Sequence, residues 1–257
     1  MSVIAKLMER IVCNRLRHHL ENRNLIPYTQ SGFRRGRSTA DPLLRLVNDM
    51  HEAFQNKEVG IAVAVDLSRA FDKVRYQKLL LVFNRLGIPS CYAKWFLGFL
   101  SDRRYRVRYG DVKSRLVRFA TGVPQGSVSG PLLFIIYMIT LEERLSRLGN
   151  KGLEYHLFAD DSTIWKIQND LSSCAEVIQS GLDVISTWSN EYNMPISVGK
   201  NEAIIFCNSS SVIKKAILPR IVLGEDVVRY KDEIRLLGVM FDCTLSFKAQ
   251  VRKIRQF

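Results

Sequence analysis

The stretch "LEYHLFADDSTIWKI" (153–167) constrains the fold of this chain more than any other. Apolar and β-branched residues flank a short polar centre, a pattern typical of two strands joined by a turn. Asp160 and Asp161 lie side by side at the predicted bend, and no Lys or Arg is closer in sequence than Lys166. An Asp pair is common in solvated turns. The alternative is that the two carboxylates, which repel each other, share a bound cation.

Hydrophobic periodicity predicts the remaining elements. Helices are predicted over 3–20, from Ser38 or Thr39 to Phe54, 76–86, 90–100, 131–149 and 171–192, with the start of another in "SFKAQVRKIRQF". Strands are predicted over 61–66, 195–198, 202–207, 218–223 and 234–241, with a hairpin over 103–118 that turns at Gly110-Asp111. Helices interleaved with mostly hairpin-joined strands indicate an α+β fold, with helices covering one face of the sheet.

The charge balance indicates a polyanionic partner. The chain has 38 Lys and Arg against 25 Asp and Glu, a formal net charge of +13, which favours nucleic acid or an anionic membrane surface. The longest apolar run, residues 132–141, is too short to cross a bilayer, and charges interrupt the N-terminal segment where a signal peptide would be apolar. The five scattered cysteines form no CxxC pair, which predicts reduced thiols in an intracellular protein.

A third carboxylate belongs with the first two if the strands pair as neighbours. Asp66 ends the apolar run "IAVAVD", and pairing of this strand beside the hairpin would bring Asp66, Asp160 and Asp161 to one edge of the sheet. Mg²⁺ prefers such hard oxygen ligands and keeps coordination positions open for phosphate oxygens. Such a cluster would suit phosphoryl transfer with two metal ions. On these residues alone, an Asp pair in a solvated turn remains the commoner arrangement.

The order of three blocks resembles the palm of reverse transcriptases. "AVAVDLSRAFDKV", "GVPQGSVSGPLLF" and "LFADDSTIW" occur in that order, and "QSGFRRGRSTADPLLRL" and "IRLLGVMFDCTLSF" flank them. Together they resemble the non-LTR (LINE-type) retrotransposon group, with the first two blocks most similar to trypanosome ingi-like elements. The resemblance covers roughly residues 2–250. It implies RNA-directed DNA polymerase activity on an RNA template and a DNA primer, with dNTPs as substrates.

The resemblance also implies roles for particular residues. Asp66, Asp160 and Asp161 would hold two Mg²⁺ ions, for which Mn²⁺ could substitute. Phe71 would exclude a ribose 2′-hydroxyl, although a Phe in "SRAFDKV" is otherwise expected in a core. Gln125 and Gly126 would contact the incoming nucleotide, or the same residues simply form a turn before the helix.

Further residues carry weaker expectations. Lys200 matches a proposed proton donor to pyrophosphate, but a Gly-Lys-Asn turn would expose a lysine anyway. "LLGV" (236–239), with Leu237 and Gly238, matches the primer grip, and its alternative is an ordinary buried strand with a close approach or bulge at the glycine. The basic residues expected to contact nucleotide or nucleic acid are Arg35, Arg37, Arg103, Arg104, Arg106 and Arg108. Such a charge run is also typical of a solvated face.

The implied architecture is a right-hand polymerase with fingers and palm. Its predicted parts are fingers over 1–60 and 76–118, palm motif A over 61–75, the palm with the PQG and FADD motifs over 119–230, and the primer grip with the start of a thumb connection over 231–257. The fingers are expected to be shortened at the N-terminus and the thumb to be missing. "ISVGKN" departs from the usual Asn and Lys-Thr of its motif, and Ser129 stands where Leu is commoner.

Two other functions stay open at this point. The chain could be an inactive nucleic-acid-binding remnant of such an enzyme, because the ends look trimmed. An RNA-templated RNA polymerase would share the carboxylates but is disfavoured by Phe71. The expected location is an intracellular ribonucleoprotein, nuclear or cytoplasmic, without membrane attachment, and the sequence does not indicate an oligomeric state.

Overall fold

The computed structural model describes residues 3–118, 121–124, 126–209 and 216–255. The helices are α1 (Val3–Asn22), α2 (Ala40–Gln55), α3 (Ala70–Lys73), α4 (Tyr76–Arg85), α5 (Ser90–Leu100), α6 (Gly130–Leu145), α7 (Leu171–Tyr192) and α8 (Lys248–Ile254), and a 3₁₀ helix covers Ser146–Lys151. The strands are β1 (Val59–Asp66), β2 (Arg104–Tyr105), β3 (Arg108–Tyr109), β4 (Val112–Lys113), β5 (Val117–Arg118), β6 (Glu154–Phe158), β7 (Asp161–Gln168), β8 (Glu202–Phe206), β9 (Val222–Leu223), β10 (Asp226–Val227), β11 (Arg229–Tyr230), β12 (Glu233–Leu236) and β13 (Val239–Asp242).

The described residues divide into two compact units. The first comprises those of 1–27, 69–140 and 192–194, and the second those of 28–68, 141–191 and 195–257. No described helix is both long and apolar enough to span a bilayer.

A five-stranded sheet organises the second unit. Its strand order is β11-β8-β1-β7-β6. The central strand β1 runs antiparallel to both β7 and β8, β6 runs antiparallel to β7, and only the short edge strand β11 is parallel to its neighbour β8. The predicted strand–turn–strand over 153–167 and the predicted strand over 61–66 are both present and adjacent. The expected α+β class with a mainly antiparallel sheet is therefore confirmed.

Helices cover both faces of this sheet, so the prediction of one covered face was wrong. Trp165 packs in a buried cluster with Leu46 and Met50 of α2. The neighbouring residue Ile164 points to the opposite face, because side chains alternate along a strand. There a Cβ added at Gly181 of α7 would lie 3.1 Å from the Ile164 side chain. Burial on both faces explains why β1 reads as a continuous apolar run instead of an alternating one.

The described residues of the first unit include helices α1, α3, α4 and α5 in full and the basic hairpin over 103–118. Phe83 of α4 and Phe96 of α5 are both buried and meet edge to face, with ring centroids 5.9 Å apart. The hairpin turns at Gly110, whose φ of +57° suits a glycine, as predicted. Its pairing is interrupted, with β2 against β5 and β3 against β4.

The segment 234–241 is a hairpin and not the single strand that was predicted. β12 and β13 pair antiparallel, with Leu236 opposite Val239. Leu237 and Gly238 form the connection with φ of +44° and +93°. Positive φ at both central residues is the geometry of the tight hairpin turns whose twist matches that of the strands. The sequence "LLGV" concealed the turn because leucine rarely adopts positive φ.

Three other predicted boundaries were wrong. The predicted strand 195–198 is reduced to a single bridge, between Ile196 and Leu67. The predicted strand 218–223 is reduced to β9. Each of these predicted strands contained a proline, which has no N–H to donate. Helix α6 ends at Leu145 and continues as the 3₁₀ helix to Lys151. The helical segment was expected to end at Gly149. It ends instead at Gly152, which has a φ of +71°.

Candidate active site

The three predicted carboxylates meet at one edge of the sheet. Asp66, the last residue of β1, lies directly opposite Asp161, the first residue of β7. Opposed residues in antiparallel strands have Cα atoms about 4.5–5.5 Å apart and point to the same face. Asp160 lies in the two-residue connection Ala159-Asp160, because Phe158 pairs with Asp161. Register and turn together therefore place Asp66 opposite Asp161, with Asp160 next to Asp161 in the adjoining turn.

The loop 197–201 holds the backbone of Asp66 from both sides. The Asp66 N–H donates to Asn201 Oδ1 at 3.0 Å, and the Asp66 carbonyl accepts from the Ser197 N–H at 2.8 Å. Asn201 is only 7% exposed, and its Nδ2 donates to the Ser197 carbonyl at 2.8 Å. The predicted residue Lys200 places Nζ 3.7 Å from Asp66 Oδ2, with a largely exposed side chain.

Asn201 was not among the predicted site residues. The one available signal was that "GKN" departs from the Lys-Thr expected at this motif. The structure shows what the departure does, because the longer Asn side chain bonds the Asp66 backbone.

The negative charge of the carboxylates is only partly compensated. Partial burial raises the pKa of Asp161 above its ordinary value, and repulsion by Asp160 and Asp66 raises it further. Burial also raises the pKa of Asp160, with Asp66 adding to the shift against a backbone hydrogen bond that lowers it. Among the described residues, Lys200 forms an ion pair with one of these carboxylates, that of Asp66. A site with this charge is suited to a divalent cation.

The fit to metal ions rests on the donor set rather than on a preformed cage. In the described part of the chain, no three or more His, Cys, Asp and Glu side chains form a ready-made metal cluster. Asp66 and Asp161 nevertheless face each other across β1 and β7. Mg²⁺ is typically held by one or two carboxylates together with water and substrate phosphates, not by a closed protein cage. The residues present therefore fit Mg²⁺.

A cleft of about 200 Å³ opens beside the carboxylates. Its lining includes Asp66, Asp161 and Lys200 together with Arg235 and Leu237 of the β12–β13 hairpin. This hairpin contains the predicted primer-grip residues Leu237 and Gly238, and a Cβ added at Gly238 would meet no atom within 4 Å. The expected close approach at Gly238 is thus absent within the described residues. Arg235, which sequence reasoning missed, is exposed in this cleft.

Phe71 belongs to the first unit, whereas the carboxylates belong to the second. Its ring stacks on Phe134 of α6 with centroids 4.6 Å apart and an interplanar angle of 20°. Its backbone carbonyl accepts from the Val123 N–H at 2.8 Å. The side chain is half-buried, so one part of the ring packs while another remains accessible.

The segment before the PQG motif is fixed tightly to the residues around Phe71. Gly122 has a φ of +89°, and a Cβ there would lie 2.8 Å from the Asp72 carbonyl oxygen. The Gly122 N–H donates to the Val74 carbonyl at 2.8 Å, and Tyr76 Oη donates to the Gly122 carbonyl at 2.9 Å. Only glycine satisfies both the φ angle and the close approach.

The PQG motif itself is partly described. Gln125 lies outside the described residues. Gly126 is exposed, with a φ of +78°. Ser129, the unusual residue of this block, is buried, and its backbone N–H and hydroxyl both donate to the buried Glu9 carboxylate. Ser129, which stands where Leu is commoner, therefore has a buried polar partner in Glu9 of α1.

The predicted basic residues are mostly exposed and lie in both units. In the first unit, Arg104 bonds Asp102, and Arg103 lies over the Phe99 ring, 5.6 Å from its centroid. In the second unit, Arg37 lies 4.3 Å from the Tyr28 ring centroid and 3.6 Å from an Asp41 carboxylate oxygen.

The other predicted basic residues, Arg35, Arg106 and Arg108, are exposed. Arg108 Nε donates to the carbonyl of Gly110 at 2.8 Å. Their exposure leaves these guanidinium groups accessible to phosphate.

Comparison with known proteins adds the family. The model of the family described as "Reverse transcriptase (RNA-dependent DNA polymerase)" matches residues 1–241. The chain is 29% identical over 255 residues to the RNA-directed DNA polymerase from mobile element jockey of Drosophila melanogaster, covering 98% of this chain and 27% of that protein. It is 30% identical over 252 residues to the probable RNA-directed DNA polymerase from transposon X-element of the same species, again covering 98% and 27%. The chain thus spans about a quarter of the length of these curated relatives.

Solved structures show the fold. Apo telomerase from Candida tropicalis superposes with a TM-score of 0.65 at 12% identity, over 94% of this chain and 40% of that one. A form of that telomerase truncated from its C-terminal domain gives 0.63 at 14% identity, over 93% and 44%. Likeness at this identity shows that the chain has the fingers-and-palm fold.

Proposed function

This chain belongs to the reverse transcriptase family, in its non-LTR retrotransposon group, and we propose that it extends the 3′ end of a DNA primer on an RNA template by adding dNTPs. The observation that carries this proposal is the placement of Asp66 directly opposite Asp161, with Asp160 in the adjoining turn. The sequence resemblance to this group is confirmed. The narrower likeness to trypanosome ingi-like elements stays a proposal, supported by the amino-acid sequences of the blocks around Asp66 and Gly126.

We propose that Asp66, Asp160 and Asp161 are the ligands of two Mg²⁺ ions, for which Mn²⁺ can substitute. Bound metals of this kind lower the pKa of a primer 3′-hydroxyl and stabilise a leaving pyrophosphate. The raised pKa values of Asp160 and Asp161 support a cationic ligand, because a cation would relieve the repulsion among the carboxylates.

Lys200 has two roles in this proposal. Its Nζ pairs with the Asp66 carboxylate at 3.7 Å, which offsets part of the negative charge when no metal is bound. Because the side chain is largely exposed, it can turn toward a bound substrate and donate a proton to the pyrophosphate leaving group.

Other residues are proposed to bind the nucleotide. Phe71 selects deoxynucleotides by blocking a 2′-hydroxyl with the accessible part of its ring. Gln125 and Gly126 contact the incoming nucleotide, and Arg35 and Arg37 contact its phosphates or the template.

The remaining predicted residues are proposed to bind nucleic acid. Arg103, Arg104, Arg106 and Arg108 bind the phosphate backbone. The turn at Leu237 and Gly238 supports the primer, which its place in the same cleft as Asp66 favours.

The proposed organisation keeps the boundaries inferred from sequence. The fingers comprise 1–60 and 76–118, palm motif A comprises 61–75, the rest of the palm comprises 119–230, and the primer grip and thumb connection begin at 231. We propose that the protein acts in a nuclear or cytoplasmic ribonucleoprotein.

Primer extension on an RNA template in Mg²⁺, with dNTPs compared with rNTPs, tests the function. The active-site variant is Asp160→Ala, and the matched control is Asp232→Ala, which removes an exposed carboxylate outside the site. Extension with dNTPs that is lost in Asp160→Ala and kept in Asp232→Ala supports the proposal. Extension that survives Asp160→Ala overturns the assigned site. Salt-dependent RNA binding without any extension favours a non-catalytic nucleic-acid-binding function instead.

A further inference from the structure

The segment 29–32 runs beside the hairpin that carries the carboxylates. The Leu157 N–H of β6 donates to the Thr29 carbonyl at 2.9 Å, and the Ser31 N–H donates to the Leu157 carbonyl at 3.0 Å. These bonds make Gln30 the parallel bridge partner of Leu157. The segment therefore extends the sheet by one position at its β6 edge, next to the turn.

The Gln30 side chain reaches from this segment to the turn itself. Gln30 is 2% exposed, and its Oε1 accepts from the Gly32 N–H at 2.9 Å and from the Ala159 N–H at 3.1 Å. Ala159 has a φ of +58°, a left-handed conformation that is disfavoured for residues with a Cβ. The hydrogen bond to Gln30 thus holds the residue just before Asp160 in a conformation that it would rarely adopt alone.

Gly32 completes the contact from the same segment. A Cβ added at Gly32 would lie 2.3 Å from the Ala159 backbone nitrogen. Real Cβ atoms do not approach backbone atoms so closely, and backbone cannot move aside as the end of a side chain can. Glycine at this position lets the segment lie against the turn, and Gln30 then fixes the two together.

We propose that Gln30 is a positioning residue for the catalytic carboxylates: through the Ala159 N–H it sets the backbone of the turn and so the directions of Asp160 and Asp161. This inference rests on the proposed function, because it assumes that those carboxylates bind metal. The Gln30 amide contacts neither the substrate nor the proposed metals in this role. Partners that orient metal ligands typically change metal affinity or activity by about 10–100-fold when removed.

The test measures Mn²⁺ affinity by electron paramagnetic resonance on the full chain, beside primer–template affinity and the urea midpoint. Gln30→Met keeps most of the side-chain volume and removes the acceptor. Gln30→Glu keeps an acceptor oxygen in either protonation state. It loses no hydrogen bond within the described residues, where Gln30 Nε2 has no partner. If Gln30→Met does not fold, Gln30→Asn carries the same test, because its amide is one methylene too short to reach Ala159.

Gln179→Met is the matched control. The Gln179 amide also holds a backbone segment, accepting from the Val222 N–H at 2.9 Å and donating to the Val222 carbonyl at 3.0 Å. It does so on α7 and β9, and not at the carboxylate turn. A loss of stability without loss of metal affinity is expected for this variant.

We expect Gln30→Met to weaken Mn²⁺ binding by about 10–100-fold. Primer–template affinity should stay within about twofold, and Gln30→Glu should recover most of the metal affinity. Mn²⁺ affinity unchanged in Gln30→Met, or reduced no more than in Gln179→Met at equal stability, overturns the positioning role alone. If Asp66→Asn binds Mn²⁺ as tightly as the wild type does, the proposed metal site, on which the inference depends, is refuted instead.

Discussion

Removing the Asn201 side chain should loosen Asp66 and lower the stability of the second unit. Asn201→Ala deletes one hydrogen bond from the Asp66 N–H at 3.0 Å and one to the Ser197 carbonyl at 2.8 Å. Each is worth about 1 kcal/mol net, and a buried polar group left without a partner costs about 1–3 kcal/mol more. Because Asp66 is only half-buried, water can satisfy part of what is lost. The expected loss in unfolding free energy is therefore about 2–4 kcal/mol.

Urea denaturation followed by circular dichroism measures this loss. With a slope of about 3 kcal/mol per molar urea, a loss of about 3 kcal/mol moves the midpoint down by about 1 M. Asn208→Ala is the control. Within the described residues, the exposed Asn208 side chain makes a single bond, to the Phe54 carbonyl at 3.0 Å, so we expect a loss of no more than about 1 kcal/mol there. If Asn201→Ala shifts the midpoint no further than Asn208→Ala does, Asn201 does not hold Asp66 as described.

Three further variants have defined outcomes. Asp161→Asn should raise the melting temperature of the metal-free protein at pH 7, measured in EDTA. Burial, and then repulsion by Asp160 and Asp66, raise the pKa of Asp161 in the folded protein above its ordinary value of 3.8. The ionised carboxylate therefore destabilises the fold at pH 7. The advantage of Asn should vanish as the pH falls toward 3.8, where the carboxyl becomes protonated in the folded and unfolded states alike. Gly122→Ala should lower unfolding free energy by about 2–4 kcal/mol in calorimetry, from positive φ and the contact with Asp72; an unchanged melting temperature would contradict the described loop. Arg235→Gln should reduce the salt slope of primer–template binding by about one unit if Arg235 contacts a phosphate, and an unchanged slope would exclude that contact.

The elements that carry the carboxylates were predictable because their signals are local. β1 is an apolar run ending in Asp66, and the hairpin around Asp160 and Asp161 shows strand residues on both sides of a polar turn. The family motifs added the expectation that these elements are neighbours. The register that sets Asp66 opposite Asp161 is a pairing between distant segments, which no single segment specifies.

The residues that hold the carboxylates were not predictable, because their partners are distant in sequence. Gln30 bonds the backbone of Ala159, and Asn201 bonds the backbone of Asp66. A side-chain amide in a polar segment looks the same in sequence whether it is solvated or holds a turn. The turn at Leu237 was likewise hidden, because a leucine with positive φ is stabilised by the pairing of β12 with β13 and not by its own preference.

Asp66, Asp160 and Asp161 are proposed to bind two metal ions together. Anomalous diffraction from crystals of the chain grown with Mn²⁺, an RNA–DNA template–primer and a non-hydrolysable dNTP analogue tests it directly. We expect two anomalous peaks in contact with these carboxylates, and the loss of at least one peak in Asp66→Asn. Mn²⁺ peaks elsewhere on the chain, with none at these residues, would contradict it.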